Sequence, residues 1–131
     1  MLLIPARVGP SAIEGNGLFA VVPIPAGTPV WRFQPDFDRA FVPAAVAALP
    51  PPAREHLARF AWFRRDDGHA ILSGDHACFM NHADLPNTGL PPGAVDPETT
   101  LALRDIAAGE ELTCDYRAFD AAAAEKLGGS T

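Results

Sequence analysis

The chain has 131 residues and a formal net charge of −6 at pH 7, and 48% of its residues are hydrophobic while 20% are charged. This length allows one domain around one core, and the composition is typical of a globular protein rather than a disordered one. An acidic chain has no basic stripe to neutralise phosphates, so we expect no direct binding of nucleic acid.

Turn residues divide the first third of the chain into short segments. Residues 11–17 are rich in glycine and polar residues and predict a loop, which runs into a strand at 18–22. A turn at 23–27 leads into a second predicted strand at 29–33. This part of the chain is therefore expected to be β.

The segment from about 42 to 65 has a different pattern and predicts a helical insert. Two helices are expected there, separated by three prolines at 50–52. In the second helix, Leu57, Phe60 and Ala61 lie on one face at helical spacing, and Arg64 extends that face by a further turn.

The last third of the chain returns to short segments. Strands are predicted at 70–72, 99–103 and 111–113. The alanine-rich stretch at 118–127 predicts a helix, which the glycines at 128–129 would end. The whole chain is therefore expected to be mainly β, with many short strands and a helical insert in the middle.

One turn pattern occurs twice. The segment 104–112 resembles the segment 22–30, since each has the end of a strand, an isoleucine, a glycine and the start of another strand. Two similar turns explain the likeness, with Gly27 and Gly109 supplying a positive φ. The pattern is too short to indicate a repeat architecture.

The apolar runs of the chain are short, and its cysteines are few. No run reaches the roughly 18–20 residues that cross a bilayer, and Pro5 interrupts the apolar start, so we expect no membrane anchor and no signal peptide. Cys78 and Cys114 are the only cysteines, which is too few for a disulfide framework. A cytoplasmic location is therefore expected.

The Gly15-Asn16-Gly17 motif is the first candidate for a binding site. Two glycines around one residue let the backbone approach a ligand and present N–H groups to it. Taken alone, these residues are better explained by an ordinary tight turn. The motif is not a nucleotide-binding fingerprint, because no third glycine follows and no helix begins there.

A cluster of two histidines, one cysteine and two aspartates falls within ten residues. A metal site would use His76, Cys78 and His82 as ligands, but their spacing matches no standard zinc pattern and the fourth ligand would have to come from a distant residue. In another interpretation, Asn81 and His82 hydrogen-bond a polar ligand. In a third, these two residues only satisfy buried backbone groups.

Tyr116 is the only tyrosine of the chain. A lone tyrosine is usually a half-buried packing residue. Its hydroxyl would matter for catalysis if it faced a site where charge changes during a reaction.

The order and spacing of three sequence blocks together resemble the SET domain family. The first block consists of Ser11, Ile13, Gly15, Gly17, Leu18, Phe19 and Ala20. The second consists of Phe79, Met80, Asn81 and His82, followed by Pro86 and Asn87. The third consists of Arg104, Asp105, Ile106, Gly109, Glu110, Glu111, Leu112, Thr113, Asp115 and Tyr116. The resemblance runs from about 11 to 116 and so covers most of the chain.

The resemblance implies a SET (β-clip-like) fold of several small curved sheets, in which the third block threads past the second in a knot-like arrangement. It implies a single SET domain over 1–131, with a core at about 11–116 and a short helical insert at about 42–65. The residues 117–131 would form a short C-terminal tail.

The resemblance also implies an S-adenosylmethionine-dependent methyltransferase that acts on a lysine side-chain amine of a protein or peptide, without a metal ion. In this chain the donor-binding residues would be Gly15, Asn16, Gly17, Asn81 and His82, and the catalytic residue would be Tyr116. An acidic domain would also attract a lysine-rich partner, although the same charge keeps a protein soluble.

The chain departs from the family pattern around both blocks of the site. Residues 79–80 and 83–84 replace the arginine that often precedes the Asn-His pair and the Ser-Cys that often follows it. Cys114 stands where the family often has Phe or Tyr, which leaves the number of added methyl groups open. No cysteine-rich tail follows Tyr116, so Phe119 or a second subunit would have to cover the donor, and homodimerisation is a hypothesis. Cys114 and Phe119 are the candidate residues of the substrate channel.

Two other functions stay open beside the enzyme. The first is a catalytically inactive SET-fold module that binds a peptide or a partner. The second is a metal-binding protein that uses His76, Cys78 and His82. The intact Asn81, His82 and Tyr116 count against the inactive module, and metal analysis of the purified protein would separate the metal-binding alternative.

Overall fold

The computed structural model describes residues 1–128, and short strands make up most of its regular structure. Within these residues the strands are β1 (Ala6–Pro10), β2 (Asn16–Ala20), β3 (Pro29–Arg32), β4 (Arg39–Phe41), β5 (Trp62–Phe63), β6 (Ala70–Leu72), β7 (Asn81–His82), β8 (Thr88–Gly89), β9 (Thr99–Ala102) and β10 (Glu111–Cys114). The α-helices of the same part are α1 (Pro43–Ala47), α2 (Pro51–Phe60) and α3 (Ala123–Lys126), and two 3-10 helices span His76–Phe79 and Tyr116–Ala118.

The strands of the described chain form three small sheets. The first has the order β1-β2-β10-β7, the second β3-β9-β8 and the third β4-β6-β5. This arrangement confirms the prediction of a mainly β protein with several small sheets. None of the helices between residues 1 and 128 is long and apolar enough to cross a membrane.

The first sheet brings together segments that are far apart in the sequence. β1 and β2 form an antiparallel pair in which Gly9 lies opposite Gly17. β10 pairs with β2 on one side, where Leu112 lies opposite Leu18, and both leucines are fully buried. On its other side β10 runs parallel to β7. The central position of β10 therefore joins the glycine loop to the Asn81-His82 strand.

The two similar turns pair with each other. Ile24 and Ile106 form a bridge in which each backbone N–H donates to the other residue's carbonyl at 2.8 Å. Both isoleucines are buried in the main core. Gly27 and Gly109 have φ angles of +84° and +86°, as the sequence predicts for two turns that require a left-handed residue.

The helical insert is confirmed, but its second helix is shorter than predicted. Both α1 and α2 begin with a proline, which suits the first turn of a helix because that position needs no N–H donor. The predicted continuation of the helical face through Ala61 and Arg64 is wrong, since Ala61 has an extended ψ of 158°. The aromatic pair of β5 follows at once and forms strand bonds with β6, where Trp62 lies opposite Ile71.

The prediction of a helix over 118–127 is also wrong in its extent, because α3 is only four residues long. The physical reason is the Asp120 side chain, which accepts the backbone N–H groups of Phe63 and Ala122. These bonds attach the segment to β5 before a helix can begin. Gly128 has a φ of +103°, whereas Gly129 lies outside the described residues.

Several strand limits also differ from the predictions. The strand expected at 18–22 lies at β2, two residues earlier, while those expected at 29–33, 99–103 and 111–113 shift by one residue at their ends. The prediction at 70–72 is confirmed. The strands β1, β4, β5, β7 and β8 were not predicted, since most of them are too short to show a period of two.

Candidate active site

A cleft of about 1360 Å³ opens beside the first sheet and reaches the insert and the C-terminal segment. Most of the residues predicted for the site line this cleft, namely Gly15, Asn16, Asn81, Cys114, Tyr116 and Phe119. Gly17 and His82 do not line it but lie in the adjoining strands β2 and β7. The three sequence blocks therefore meet at one concave surface.

The parallel pairing of β10 with β7 determines this geometry. Thr113 lies opposite Asn81, and Cys114 lies opposite His82. Two backbone groups extend the pairing, since the N–H of Ala83 donates to the carbonyl of Cys114 at 3.0 Å. The chain leaves β10 directly beside His82 and enters the 3-10 helix that begins at Tyr116.

Tyr116 is held through both its side chain and its backbone. Its hydroxyl donates to the backbone carbonyl of Met80 at 2.7 Å, and its backbone N–H donates to Nδ1 of His82 at 3.1 Å. Burial raises the pKa of Tyr116 above its ordinary value of 10, and the nearby acidic groups of Cys114 and Glu14 add to the effect. The phenol is therefore a neutral hydroxyl near pH 7, with its proton directed at the Met80 carbonyl.

His82 orients the Tyr116 segment. Because the Tyr116 N–H points at Nδ1, that nitrogen acts as the acceptor, and Nε2 carries the proton that it donates to the Asp84 carboxylate at 2.9 Å. The two rings lie 5.4 Å apart in a tilted arrangement. Both ring nitrogens of His82 are thus engaged within the protein.

The metal alternative has no geometric support. Between residues 1 and 128, no three His, Cys, Asp or Glu side chains are grouped so that they could hold a metal ion. His82 uses its two nitrogens as described, and the Cys78 thiol points at the carbonyl of Asp75 at 4.0 Å.

A polar network that the sequence analysis missed connects the glycine loop to the sheet. The Asn81 amide nitrogen lies 3.0 Å from Oε2 of Glu111 and 3.1 Å from the hydroxyl of Ser11. It also lies 3.1 and 3.2 Å from the carbonyls of Glu14 and Asn16. Since an amide has two hydrogens, four acceptors share them, and the loop is clamped onto the side chain.

Glu111 completes this clamp and explains why residue 17 is a glycine. The Ser11 hydroxyl lies 2.8 Å from each oxygen of the Glu111 carboxylate. A Cβ on Gly17 would overlap the Glu111 carboxylate and would lie 3.1 Å from Cβ of Ser11. Gly17 therefore leaves room for the clamp, while Gly15 takes a left-handed φ of +47° at the open edge of the loop.

A row of aromatic rings forms another wall of the cleft. Trp31 and Trp62 lie 6.4 Å apart, Trp62 and Phe119 lie 5.4 Å apart, and Phe119 and Tyr116 lie 6.3 Å apart, each pair edge to face. Phe119 and Tyr116 were predicted from the sequence as site residues, whereas the two tryptophans were not. No local motif marks them, because they come from β3 and from the strand after α2.

Both cysteines are free thiols, and neither is an activated nucleophile. Burial raises the pKa of Cys114 to about 12 and also raises the pKa of the half-buried Cys78. A protonated thiol is a weak nucleophile, so the site is not built for cysteine chemistry. Cys114 instead supplies a small apolar surface two residues before Tyr116.

Acidic side chains outnumber basic ones along the cleft. The lining carboxylates belong to Glu14, Glu55, Glu98, Asp115, Asp120 and Glu125, and the lining cations belong to Arg59, Arg64 and Lys126. Asp120 pairs with Lys126 and Asp115 pairs with Arg117, but the four glutamates are exposed. The rim of the cleft therefore favours the binding of a positively charged ligand.

Comparisons with known proteins agree with this geometry. The SET domain family model matches residues 15–117. The histone-lysine N-methyltransferase ATX2 of Arabidopsis thaliana is 34% identical over 126 residues, and the match covers 85% of this chain and 11% of that relative. The chain thus spans about a tenth of the length of the curated relative that it matches.

Solved structures share the fold. A humanized mutant of the Chaetomium thermophilum Polycomb Repressive Complex 2, bound to the inhibitor GSK126, has a TM-score of 0.64 and 25% identity, covering 90% of this chain and 15% of that chain. ctPRC2 in an autoinhibited conformation bound to S-adenosylmethionine has a TM-score of 0.63 and 22% identity, covering 95% and 16%. With a family match over 15–117 and the three blocks joined at one cleft, the chain belongs to the SET domain family.

Proposed function

We propose that this chain transfers a methyl group from S-adenosylmethionine to a lysine amine of a protein or peptide. The observation that carries the proposal is the convergence of Tyr116, Asn81 and the glycine loop on one cleft in a chain of the SET family. The histone-lysine methyltransferase among its relatives supports the same class of reaction.

The residues of the donor side fit this cofactor. The loop from Glu14 to Asn16 lies open at the cleft, and the Asn81 amide holds two of its carbonyls in place. No side chain fills the space beside Gly15. We therefore assign Gly15, Asn16 and Asn81 to the donor side of the cleft. Gly17 and His82 support these residues from the adjoining strands. When bound, S-adenosylmethionine supplies an electrophilic methyl group on a positively charged sulfur.

The acceptor amine must be neutral to accept a methyl group. With an unperturbed pKa near 10.4, a lysine costs roughly 4.6 kcal/mol to deprotonate at pH 7. The aromatic wall of Trp31, Trp62 and Phe119 removes water from the amine and so lowers its pKa. A strong general base is then unnecessary, and the released proton passes to solvent.

Tyr116 contributes its oxygen atom. Since the hydroxyl proton is donated to the Met80 carbonyl, the oxygen lone pairs are available to the cleft. An oxygen in this position stabilises polarised methyl hydrogens as positive charge moves from sulfur to nitrogen. The clamp on the glycine loop and the hydrogen bonds of Tyr116 keep the donor side and the acceptor side of the cleft aligned. An in-line displacement requires this alignment.

Basic protein segments are the acceptors that the cleft favours. The exposed glutamates along the rim attract a cationic segment, and the name of the Arabidopsis thaliana relative points to histones. Core histones are therefore the first acceptor to test. A cytoplasmic location and homodimerisation stay predictions. Of the two candidates for covering the donor, Phe119 contacts Tyr116 within the same chain.

The test incubates the purified chain with S-adenosylmethionine carrying a labelled methyl group and with core histones, followed by digestion and mass analysis. We expect methyl-lysine in the histones, in an amount that grows with time and needs the folded chain. Donor binding without any transfer would favour the catalytically inactive module instead.

A further inference from the structure

The lysine of this chain lies in the wall of the cleft. Lys126 is the sole lysine among the 131 residues, and its side chain is 18% exposed. Its Nζ donates to the Asp120 carboxylate at 2.6 Å and to the backbone carbonyl of Ala61. The same nitrogen lies 5.9 Å from the centre of the Tyr116 ring. The Lys126 amine is therefore bonded to one residue of the insert and to one residue of the C-terminal segment.

Asp120, the carboxylate partner of Lys126, is itself held in place by several further hydrogen bonds. It is 1% exposed, and its other oxygen accepts the backbone N–H groups of Phe63 at 3.0 Å and Ala122 at 2.9 Å. The Asp120 carbonyl accepts a further bond from Arg65 at 3.0 Å. Phe63 and Arg65 belong to the insert, whereas Ala122 and Lys126 belong to the C-terminal segment itself. The contacts thus fasten the C-terminal segment to the opposite side of the cleft.

The ring of Phe119 depends on this attachment. Phe119 directly precedes Asp120 and lies between Trp62 of the insert and Tyr116, at 5.4 and 6.3 Å. A shift of the C-terminal segment would move Phe119 away from both rings. The width of the acceptor side of the cleft is therefore coupled to the contact between Lys126 and Asp120.

We propose that the ion pair between Lys126 and Asp120 is a latch that holds Phe119 in the aromatic wall and so positions the acceptor amine. Both residues are positioning residues, because they act through Phe119 rather than on the reacting atoms. The proposal rests on the proposed function, since it assigns a role to the acceptor side of that site. It predicts that loss of the latch affects the acceptor and leaves the donor side unchanged.

The kinetic test compares Lys126→Met, Lys126→Arg and Asp120→Asn with the unaltered chain on core histones. Removing one member of a buried pair leaves the other unpaired, so Lys126→Met and Asp120→Asn should raise KM for histones about tenfold or more through misplacement of the wall. Lys126→Arg keeps the charge and should retain most of the affinity. All variants should bind S-adenosylmethionine within about twofold of the unaltered chain.

The matched control is Arg104→Met, which removes an exposed ion pair with Glu110 that does not line the cleft. This variant should leave KM unchanged. An unchanged KM in Lys126→Met would overturn the proposal, as would an equal rise in Lys126→Arg and Lys126→Met.

A second measurement does not depend on activity. Because Lys126 is the sole lysine, its acetylation by an amine-reactive ester can be followed by mass in the fragment that begins after Arg117. A latched amine should react at least about tenfold more slowly in the native chain than in Asp120→Asn or in the unfolded chain. Fast labelling of the native chain refutes the latch. Slow labelling together with a lack of histone methylation supports the latch and counts against the proposed function alone.

Discussion

The phenol oxygen of Tyr116 lies 2.7 Å from the backbone carbonyl oxygen of Met80 and donates its proton to it. Met80 directly precedes the strand of Asn81 and His82, so the residue proposed for catalysis is bonded to the chain just before the side chain that holds the glycine loop. The Tyr116 N–H bonds to His82 as well. Tyr116 therefore joins the donor side of the cleft, through its side chain and its backbone, to the segment that carries the acceptor wall.

Replacement of Tyr116 by phenylalanine tests the role of that oxygen. We expect turnover on core histones to fall at least about 100-fold, since one well-placed polar group in an active site contributes about that much. The fold should persist, because a lost hydrogen bond costs only about 1 kcal/mol of unfolding free energy. Donor affinity, measured by calorimetry, should stay within about twofold. Near-normal turnover would refute the catalytic assignment.

Replacement of His82 by alanine should weaken donor binding. The variant removes the acceptor of the Tyr116 N–H and the support behind the donor side of the cleft. We expect the dissociation constant for S-adenosylmethionine to rise about tenfold in calorimetry. Asp84→Asn is the control, because Asp84 is exposed, contacts the His82 ring only at Nε2 and otherwise pairs with the exposed Arg117. An unchanged donor affinity in His82→Ala contradicts the role of this residue.

Gly17 and Gly9 provide a matched pair of glycines, since they lie opposite each other in β2 and β1. A methyl group on Gly17 would displace the Glu111 carboxylate, which Ser11 and Asn81 hold. Gly17→Ala should therefore cost about 1–3 kcal/mol in unfolding free energy and weaken donor binding.

Gly9→Ala should be tolerated much better. The nearest atom to the added methyl group is the end of the flexible Arg7 side chain, at 2.9 Å. Urea unfolding and donor titration of the two variants check this difference. Equal effects at both positions would argue against the clamp formed by Glu111.

Alkaline pH should destabilise the protein. Burial raises the pKa of Cys114 to about 12 and raises the pKa of Tyr116 and Cys78 above their ordinary values. A raised native pKa means that the folded state keeps protons which the unfolded state loses. The resulting stability is complete below about pH 8.5, where unfolded thiols are protonated, and is lost as the pH rises toward 12.

Urea midpoints at pH 7.5, 9 and 10.5 measure this effect. The midpoint should fall steadily over the series, and Cys114→Ala should show a smaller fall than the unaltered chain. A midpoint that rises with pH over this range contradicts the burial of these groups.

Local patterns in the sequence predicted the elements whose residues alternate or turn in an obvious way. The strand at Ala70–Leu72 and the two glycine turns at Gly27 and Gly109 are examples. The site residues could be named because three separate motifs resemble one family. Each motif alone was compatible with an ordinary turn or a packing residue.

The missing parts of the site depend on contacts between distant residues. Ser11 and Glu111 are 100 positions apart, and their hydrogen bond exists only because β10 lies beside β2. Trp62 was expected to lie within the second helix, but that helix ends at Phe60, and Trp62 instead pairs with Ile71 and packs against Phe119. Asp120 likewise breaks the expected C-terminal helix through its bond to Phe63. Such effects of tertiary structure override local propensity.

The proposal that this cleft binds S-adenosylmethionine is tested most directly by calorimetry. The purified chain and its Asn81→Ala variant are each titrated with S-adenosylmethionine and with its demethylated product. We expect binding of both compounds in the micromolar range and a clear loss of affinity in Asn81→Ala, whose clamp on the glycine loop is removed. A chain that is folded and yet gives no heat with either compound would contradict the assignment of this cleft as a donor site.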